Sequence, residues 1–241
     1  VNHDPGELRI YDTPDALAHA LADLFIAHAR EALAARGRFA VSLAGGTTPK
    51  STYTLLAYEP YATALPWDNV EIFFGDERCV PPDHEQSNYR MANEAFIRPL
   101  KIPATNVHRI HGEEDPALAA RAYREVLIET LGAQPRFDLV MLGMGPDGHT
   151  ASLFPGSDPL TDDGQLVRAV YSQTQTQWRI TLTPRALNAS RAIVFAAEGA
   201  AKAKTLAAVR EGPYDPIELP AQIVTPVDGV LIWLADRAAA G

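Results

Sequence analysis

Residues 137–156 read FDLVMLGMGPDGHTASLFPG. Phe137 and Leu139 to Leu142 form a short, nearly continuous apolar run, the pattern of a buried central strand in an α/β sheet whose two faces are both covered. Gly143, Gly145, Pro146 and Gly148 then break regular structure and let the backbone come close to a ligand. Asp147 and His149 therefore leave the strand at its carboxyl end, where open α/β sheets place their ligands.

Working outward, other strands end in the same way. Phe39 to Leu43 reads as a strand that turns through Gly45, Gly46, Thr47 and Thr48 into a helix over about Lys50 to Ala57. Such a turn presents free backbone N–H groups at the positive end of a helix dipole, ready for an anion, with the two threonines as further donors. A tight βα turn with no ligand has the same spacing. The Gly-Lys-Ser/Thr ending of a P-loop is missing. Val70 to Phe74 is the next strand, ending in Gly75, Asp76, Glu77 and Arg78, which fits either a solvated turn or a site. A long polar loop, Cys79 to Arg90, follows, and loops of that length are often functional. Arg191 to Ala197 is a strand followed by a helix to about Arg210, with Lys202 and Lys204 in its first turns, where cations oppose the dipole unless something anionic is bound.

The remaining elements complete the alternation. Leu8 to Tyr11 reads as an edge strand. Asp12 or Thr13 caps a helix with Pro14 in its first turn, running to Gly37. Ser87 to Phe96 and Pro116 to Leu131 read as helices. Val107 to Ile110, Leu166 to Tyr171, Arg179 to Thr183 and Gly229 to Leu234 read as strands, and Ala235 to Gly241 as a helical or frayed end. The expected fold is α/β: a three-layer α/β/α sandwich with a largely parallel, Rossmann-like sheet. No repeat or linker splits the chain, so residues 1–241 are expected to form one domain.

Composition excludes several functions. With 21 basic and 30 acidic side chains the formal charge is −9, which argues against non-specific nucleic-acid binding but not against an anionic substrate held by a few local cations. Cys79 is the only cysteine, so no intrachain disulfide forms, and a reducing cytoplasm is the expected compartment. The thiol reads as a packed small side chain rather than a nucleophile. The opening VNHDPGELRIYD has no basic and no apolar leader region, and no later run reaches membrane-span length. His19 and His28 read as ordinary helix-face residues. His108 and His111, near Glu113 and Glu114, have the look of metal ligands, but their place in a strand and turn argues against it, and no metal is expected.

Gly143, Gly145 and Gly148 satisfy G-x-G-x-x-G, yet Pro155 and Gly156 interrupt the segment where a dinucleotide-binding helix would run, and Arg168 stands where an acidic ribose ligand belongs. No nicotinamide or flavin cofactor is expected. There is no G-x-S-x-G elbow either.

Three segments together, SLAGGTTP (Ser42 to Pro49), FFGDERCVPPDHEQSNYRMA (Phe73 to Ala92) and LGMGPDGHTASLFPG (Leu142 to Gly156), resemble the 6-phosphogluconolactonases, and the likeness extends through WRITLT (Trp178 to Thr183) and GAAKA (Gly199 to Ala203). The family's first segment more often begins with serine where this chain has Ala44. The resemblance implies hydrolysis of 6-phospho-D-glucono-1,5-lactone to 6-phosphogluconate without a cofactor, by a cytoplasmic monomer or weak homo-oligomer whose partner is that small sugar-phosphate lactone. The reaction needs an activated water, a group to hold the developing oxyanion and a proton for the departing ring oxygen. His149 is the candidate for both proton steps, with Asp147 orienting it or stabilising its cation. Arg78 is the candidate for the oxyanion or the sugar hydroxyls, with Asp76 holding Arg78 or a hydroxyl. Gly45, Gly46, Thr47, Arg179 and Lys202 are the candidates for the phosphate. A glucosamine-6-phosphate deaminase resembles the chain in the glycine turn and the Asp-Gly-His element. That family has a glutamate five residues beyond its histidine, where Phe154 stands, and Asp-Glu-Tyr where this chain has Asp76-Glu77-Arg78. A non-catalytic sugar-phosphate sensor on the same scaffold would keep the phosphate turn without needing His149.

Overall fold

Alternation of buried apolar runs with amphipathic segments produces two sheets joined by helices in a computed structural model that describes residues 5–161 and 164–241. The first four residues of the opening segment lie outside that range. In chain order, strand β1 (Glu7–Tyr11) leads into helix α1 (Pro14–Arg36), and β2 (Phe39–Leu43) into α2 (Thr47–Leu56). The strands β3 (Val70–Phe74) and β4 (Asp76–Arg78) precede two helices, α3 (Asn88–Ala92) and α4 (Pro116–Leu131). After β5 (Leu139–Gly143) come β6 (Val167–Ser172), β7 (Gln177–Leu182) and α5 (Pro184–Asn188). The chain closes with β8 (Ala192–Ala197), α6 (Ala203–Glu211), β9 (Val230–Asp236) and α7 (Arg237–Ala240).

Thr13 Oγ1 accepts from Ala16 N at 3.1 Å to start α1, and Gly37, at φ 72°, ends it in the left-handed conformation that a glycine C-cap supplies. The main sheet has six strands in the order β1-β9-β8-β5-β2-β3, every pairing parallel. All residues of β2 and β8 are buried, so helices cover both faces of the sheet, as parallel sheets require. Phe195 of β8 stacks on Trp233 of β9 with centroids 3.9 Å apart, inside the continuous core.

From β2 the chain steps outward to β3, and then crosses to the other side of β2 for β5, β8 and β9. That reversal, between β2 and β5, is a topological switch point, and the carboxyl ends of β3, β2, β5 and β8 stand side by side there.

Four expectations change in detail. The stretch Val107 to Ile110 is not a strand: coming out of the turn over Ala104–Asn106, it touches the edge strand β3 through one bridge, Val107 to Ile72, and does not extend the pairing. The strands β6 and β7 do not join the parallel sheet. They pair antiparallel with each other and with β4 in a second sheet, β4-β7-β6, so the charged Asp76 to Arg78 turn is itself a short strand. The helix expected over Ser87 to Phe96 divides into α3 and a wider turn over Asn93–Ile97. Helix α2 begins three residues earlier than expected, at Thr47, which places both threonines in its first turn.

No described helix is long and apolar enough to cross a membrane.

Candidate active site

A cleft of about 260 Å³ opens over the four aligned strand ends. From β2 it receives Gly45, Gly46 and Thr47; from β3 and β4, Asp76 and Arg78; from the β5 loop, His149; from β7, Arg179; and from the turn after β8, Lys202. Asp147 stands just behind this wall and reaches it through the imidazole.

The His149 loop is set by its own backbone. Gly145 N donates to His149 O at 2.8 Å, and Gly148 N donates to Gly145 O at 3.1 Å, so the segment folds back on itself. Asp147 Oδ1 accepts from His149 N at 3.2 Å and lies 2.5 Å from His149 Nδ1. A ring N–H donated to that carboxylate fixes Nδ1 as the protonated nitrogen and leaves Nε2 as the basic one. Burial would raise the Asp147 carboxyl, but the adjoining imidazole outweighs it and holds the acid below its ordinary range. The His149 side chain is 24% exposed, and Phe154 packs against its ring with centroids 5.0 Å apart.

Also on the cleft wall, Gly46 precedes α2 with no side-chain cap, and no acidic residue lies in that helix's first turn. The Thr47 and Thr48 N–H groups are therefore open to an anion. Thr48 does not add its hydroxyl: Oγ1 donates to Glu198 Oε2 at 2.8 Å, leaving Thr47 as the exposed hydroxyl. Lys202, half-buried beside the turn after Gly199, makes no ion pair among the described residues. Burial lowers its ammonium below the usual lysine value, and the negative charge of Asp147 partly restores it. Lys204 is exposed and does not line the cleft.

Arg78 and Arg179 are directly opposite in the β4–β7 ladder. Like charges in register repel, so an anion between or above them stabilises the pair. Each has a buried Nε with no protein partner. Burial depresses Arg179, Asp76 opposes that effect, and Arg78 adds to it. The guanidinium of Arg179 also donates to Gln175 Oε1, and Arg78 Nη1 donates to Gln86 O at 2.6 Å.

Asp76 turns to Arg179, at 3.8 Å, rather than to Arg78. Its Oδ2 accepts from the Ser152 hydroxyl at 2.6 Å and its Oδ1 from Asn88 Nδ2 at 3.1 Å. The hydroxyl it holds is thus the protein's own, because Ser152, two residues past the Thr150 hydroxyl that anchors Gly143 O, is brought beneath it. Sequence spacing does not announce Ser152, Asn88, Gln175 or Glu198, since each finds its partner across the fold.

Among the described residues no group of three or more His, Cys, Asp or Glu side chains is arranged to hold a metal ion. His108 Nε2 pairs with Glu71 Oε2 at 2.7 Å and its ring stacks on Phe73, while His111 lies 3.5 Å from Glu114. Cys79 is partly buried, and that burial pushes its thiol up to about 11 against the opposing charge of Arg179. Iodoacetamide at pH 8 should therefore alkylate it about 10²-fold more slowly than an ordinary thiol of pKa about 8.5. Alkylation at the ordinary rate, followed by mass spectrometry, would contradict this environment.

A family model described as glucosamine-6-phosphate isomerases/6-phosphogluconolactonase matches residues 12–233. A 6-phosphogluconolactonase of Synechocystis sp. is 39% identical over 214 residues, 87% of this chain and 86% of the relative. One of Haemophilus influenzae is 36% identical, over 83% and 85% of the two chains. Among solved structures, a 6-phosphogluconolactonase from Trypanosoma cruzi superposes with a TM-score of 0.88 at 27% identity, covering 98% of this chain and 96% of that one. A monomeric glucosamine-6-phosphate deaminase, at 21% identity, with a TM-score of 0.83 over 97% and 98% of the two chains, shares the fold.

Proposed function

The chain belongs to the glucosamine-6-phosphate isomerase/6-phosphogluconolactonase family, and we propose that it hydrolyses 6-phospho-D-glucono-1,5-lactone to 6-phospho-D-gluconate by His149-assisted attack of water. This is the second step of the oxidative pentose phosphate pathway, carried out by residues 1–241 as one catalytic domain in the cytoplasm, as a monomer or weak homo-oligomer. The observation that carries the reading is one cleft lined by His149, which Asp147 orients, together with an uncapped helix N-terminus and Lys202.

His149 Nε2 takes a proton from water as the water oxygen bonds to C1. The carbonyl oxygen becomes an oxyanion facing the Arg78 guanidinium, which is already charged and already placed. The bond from C1 to the ring oxygen then breaks, and the imidazolium returns its proton to that oxygen, giving the C5 hydroxyl and a carboxylic acid that ionises in water. Asp147 holds the ring in the right tautomer and balances the imidazolium while it lasts. The reaction balances with water alone. Gly45, Gly46 and Thr47 at the start of α2, with Lys202 and Arg179, hold the phosphate, and Asp76 keeps Arg179 in place.

Phe154 gives the site an apolar wall against the His149 ring, where the deaminase pattern has a carboxylate. The deciding experiment supplies fresh phosphogluconolactone and glucosamine 6-phosphate separately and follows acid release against ammonia release, with spontaneous lactone opening subtracted. Acid from the first and no ammonia from the second is expected; the reverse overturns the assignment.

Phosphate contacts are shared by ground and transition states, so Lys202→Ala should raise KM about 10-fold and leave kcat within about 2-fold. A kcat defect at unchanged KM in steady-state kinetics would remove Lys202 from phosphate binding.

A further inference from the structure

Glu77 is 2% exposed and takes no part in the steps above. Its Oε1 accepts from Arg78 N and Asn88 N, both at 2.8 Å, and its Oε2 from Ser87 Oγ at 3.0 Å and Tyr89 N at 2.8 Å. Burial pushes its carboxyl above the ordinary range against those backbone bonds, the neighbouring charge of Asp76 adds to the rise, and among the described residues no salt bridge reaches it, although Arg179 feels its charge without touching it. A buried carboxylate with no cation in contact is costly, so a neutral residue would serve better if capping were all that was needed. Helix α3 already has its cap, since Ser87 Oγ accepts from Arg90 N at 3.0 Å.

The clamped stretch touches three residues that line the cleft, Arg78, Asp76 and Gly45. Gln86 O, just before it, accepts from Arg78 Nη1 at 2.6 Å. Asn88, inside it, donates to Asp76 O at 2.9 Å, and its Oδ1 presses on Gly45 so closely that a Cβ there would lie 2.1 Å away. We propose that Glu77 is a positioning residue that folds residues 86–89 back so that Gln86 aims Arg78 while Asn88 braces the diglycine turn. Its catalytic consequence rests on the lactonase reading.

The test is a double-mutant cycle with a substrate-free readout beside it. Glu77→Gln keeps the size but sets an NH₂ among four donors. It should lower kcat/KM about 10-fold in the wild-type background and under about 3-fold when Arg78 is already alanine, because Glu77 acts through Arg78. Glu71→Gln, which loses the His108 contact away from the cleft, should keep wild-type kcat and KM. In nuclear magnetic resonance spectra taken without substrate, the Asn88 side-chain amide and the Gly45 backbone amide should shift in Glu77→Gln. If Glu77→Gln does not fold, Ser87→Ala, which removes one donor, should move the same signals less. A wild-type chain inactive on the lactone but with these shifts present sinks the reaction assignment and leaves the positioning role standing. Additive effects in the cycle, or amide signals at wild-type positions, overturn the positioning role.

Discussion

His149→Ala lowers kcat for phosphogluconolactone hydrolysis about 10²-fold or more, with KM changed little. The size follows from what the imidazole is asked to do, which is to take a proton during attack and return it during ring opening. Its polar partner does not replace it: Asp147 stands behind the cleft wall and reaches the cleft only through the imidazole that the substitution removes. The residual rate would come from Arg78 and from holding the lactone, which survive the change. Stability should change by less than about 1 kcal/mol, because the ring is partly exposed and its main polar partner is an exposed carboxylate that water can satisfy. Measuring kcat beside the melting temperature separates the two effects. Activity near wild type would take His149 out of the mechanism.

Asp147→Asn adds a sharper form of the same argument. An asparagine can present an N–H to Nδ1 and stabilise the tautomer with its proton on Nε2, which cannot accept from water. The loss in kcat should then exceed that of Asp147→Ala, where water can take the Nδ1–H.

Strand ends were legible in the sequence because β2, β3, β5 and β8 are short apolar runs cut off by glycine or charge, and a parallel sheet brings such ends to one edge. Sheet membership was not legible to the same degree. An apolar strand pattern does not say which sheet the strand joins, although β6 is buried only at some positions and Trp178 of β7 is 46% exposed, unlike the fully buried β8. Partner choice was the least legible. Thr48 gives its hydroxyl to Glu198, and Asp76 meets Ser152 and Arg179, through contacts that exist only once the chain is closed. Local spacing predicts where a side chain leaves the backbone; the group it finds depends on segments far along the chain.

Gly145→Ala should cost about as much catalysis as losing the base, on the order of 10²-fold in kcat, while leaving the fold almost untouched. A Cβ at position 145 would stand 2.1 Å from His149 Nδ1, 2.3 Å from His149 Cε1 and 2.6 Å from Asp147 Oδ1. Those separations lie far inside contact distance, so the ring or the carboxylate must swing away and the 2.5 Å bond between them breaks. The atoms struck are side-chain tips, not backbone, and Gly145 is not among the glycines with positive φ, so alanine brings no dihedral strain. Its N–H still bonds His149 O, and the loop keeps its path. The melting temperature should therefore stay within about 3 °C of wild type, while kcat falls because the basic nitrogen no longer faces the lactone carbon. A Gly145→Ala protein with wild-type kcat would mean that the Asp147–His149 contact is dispensable and that the imidazole works without being aimed.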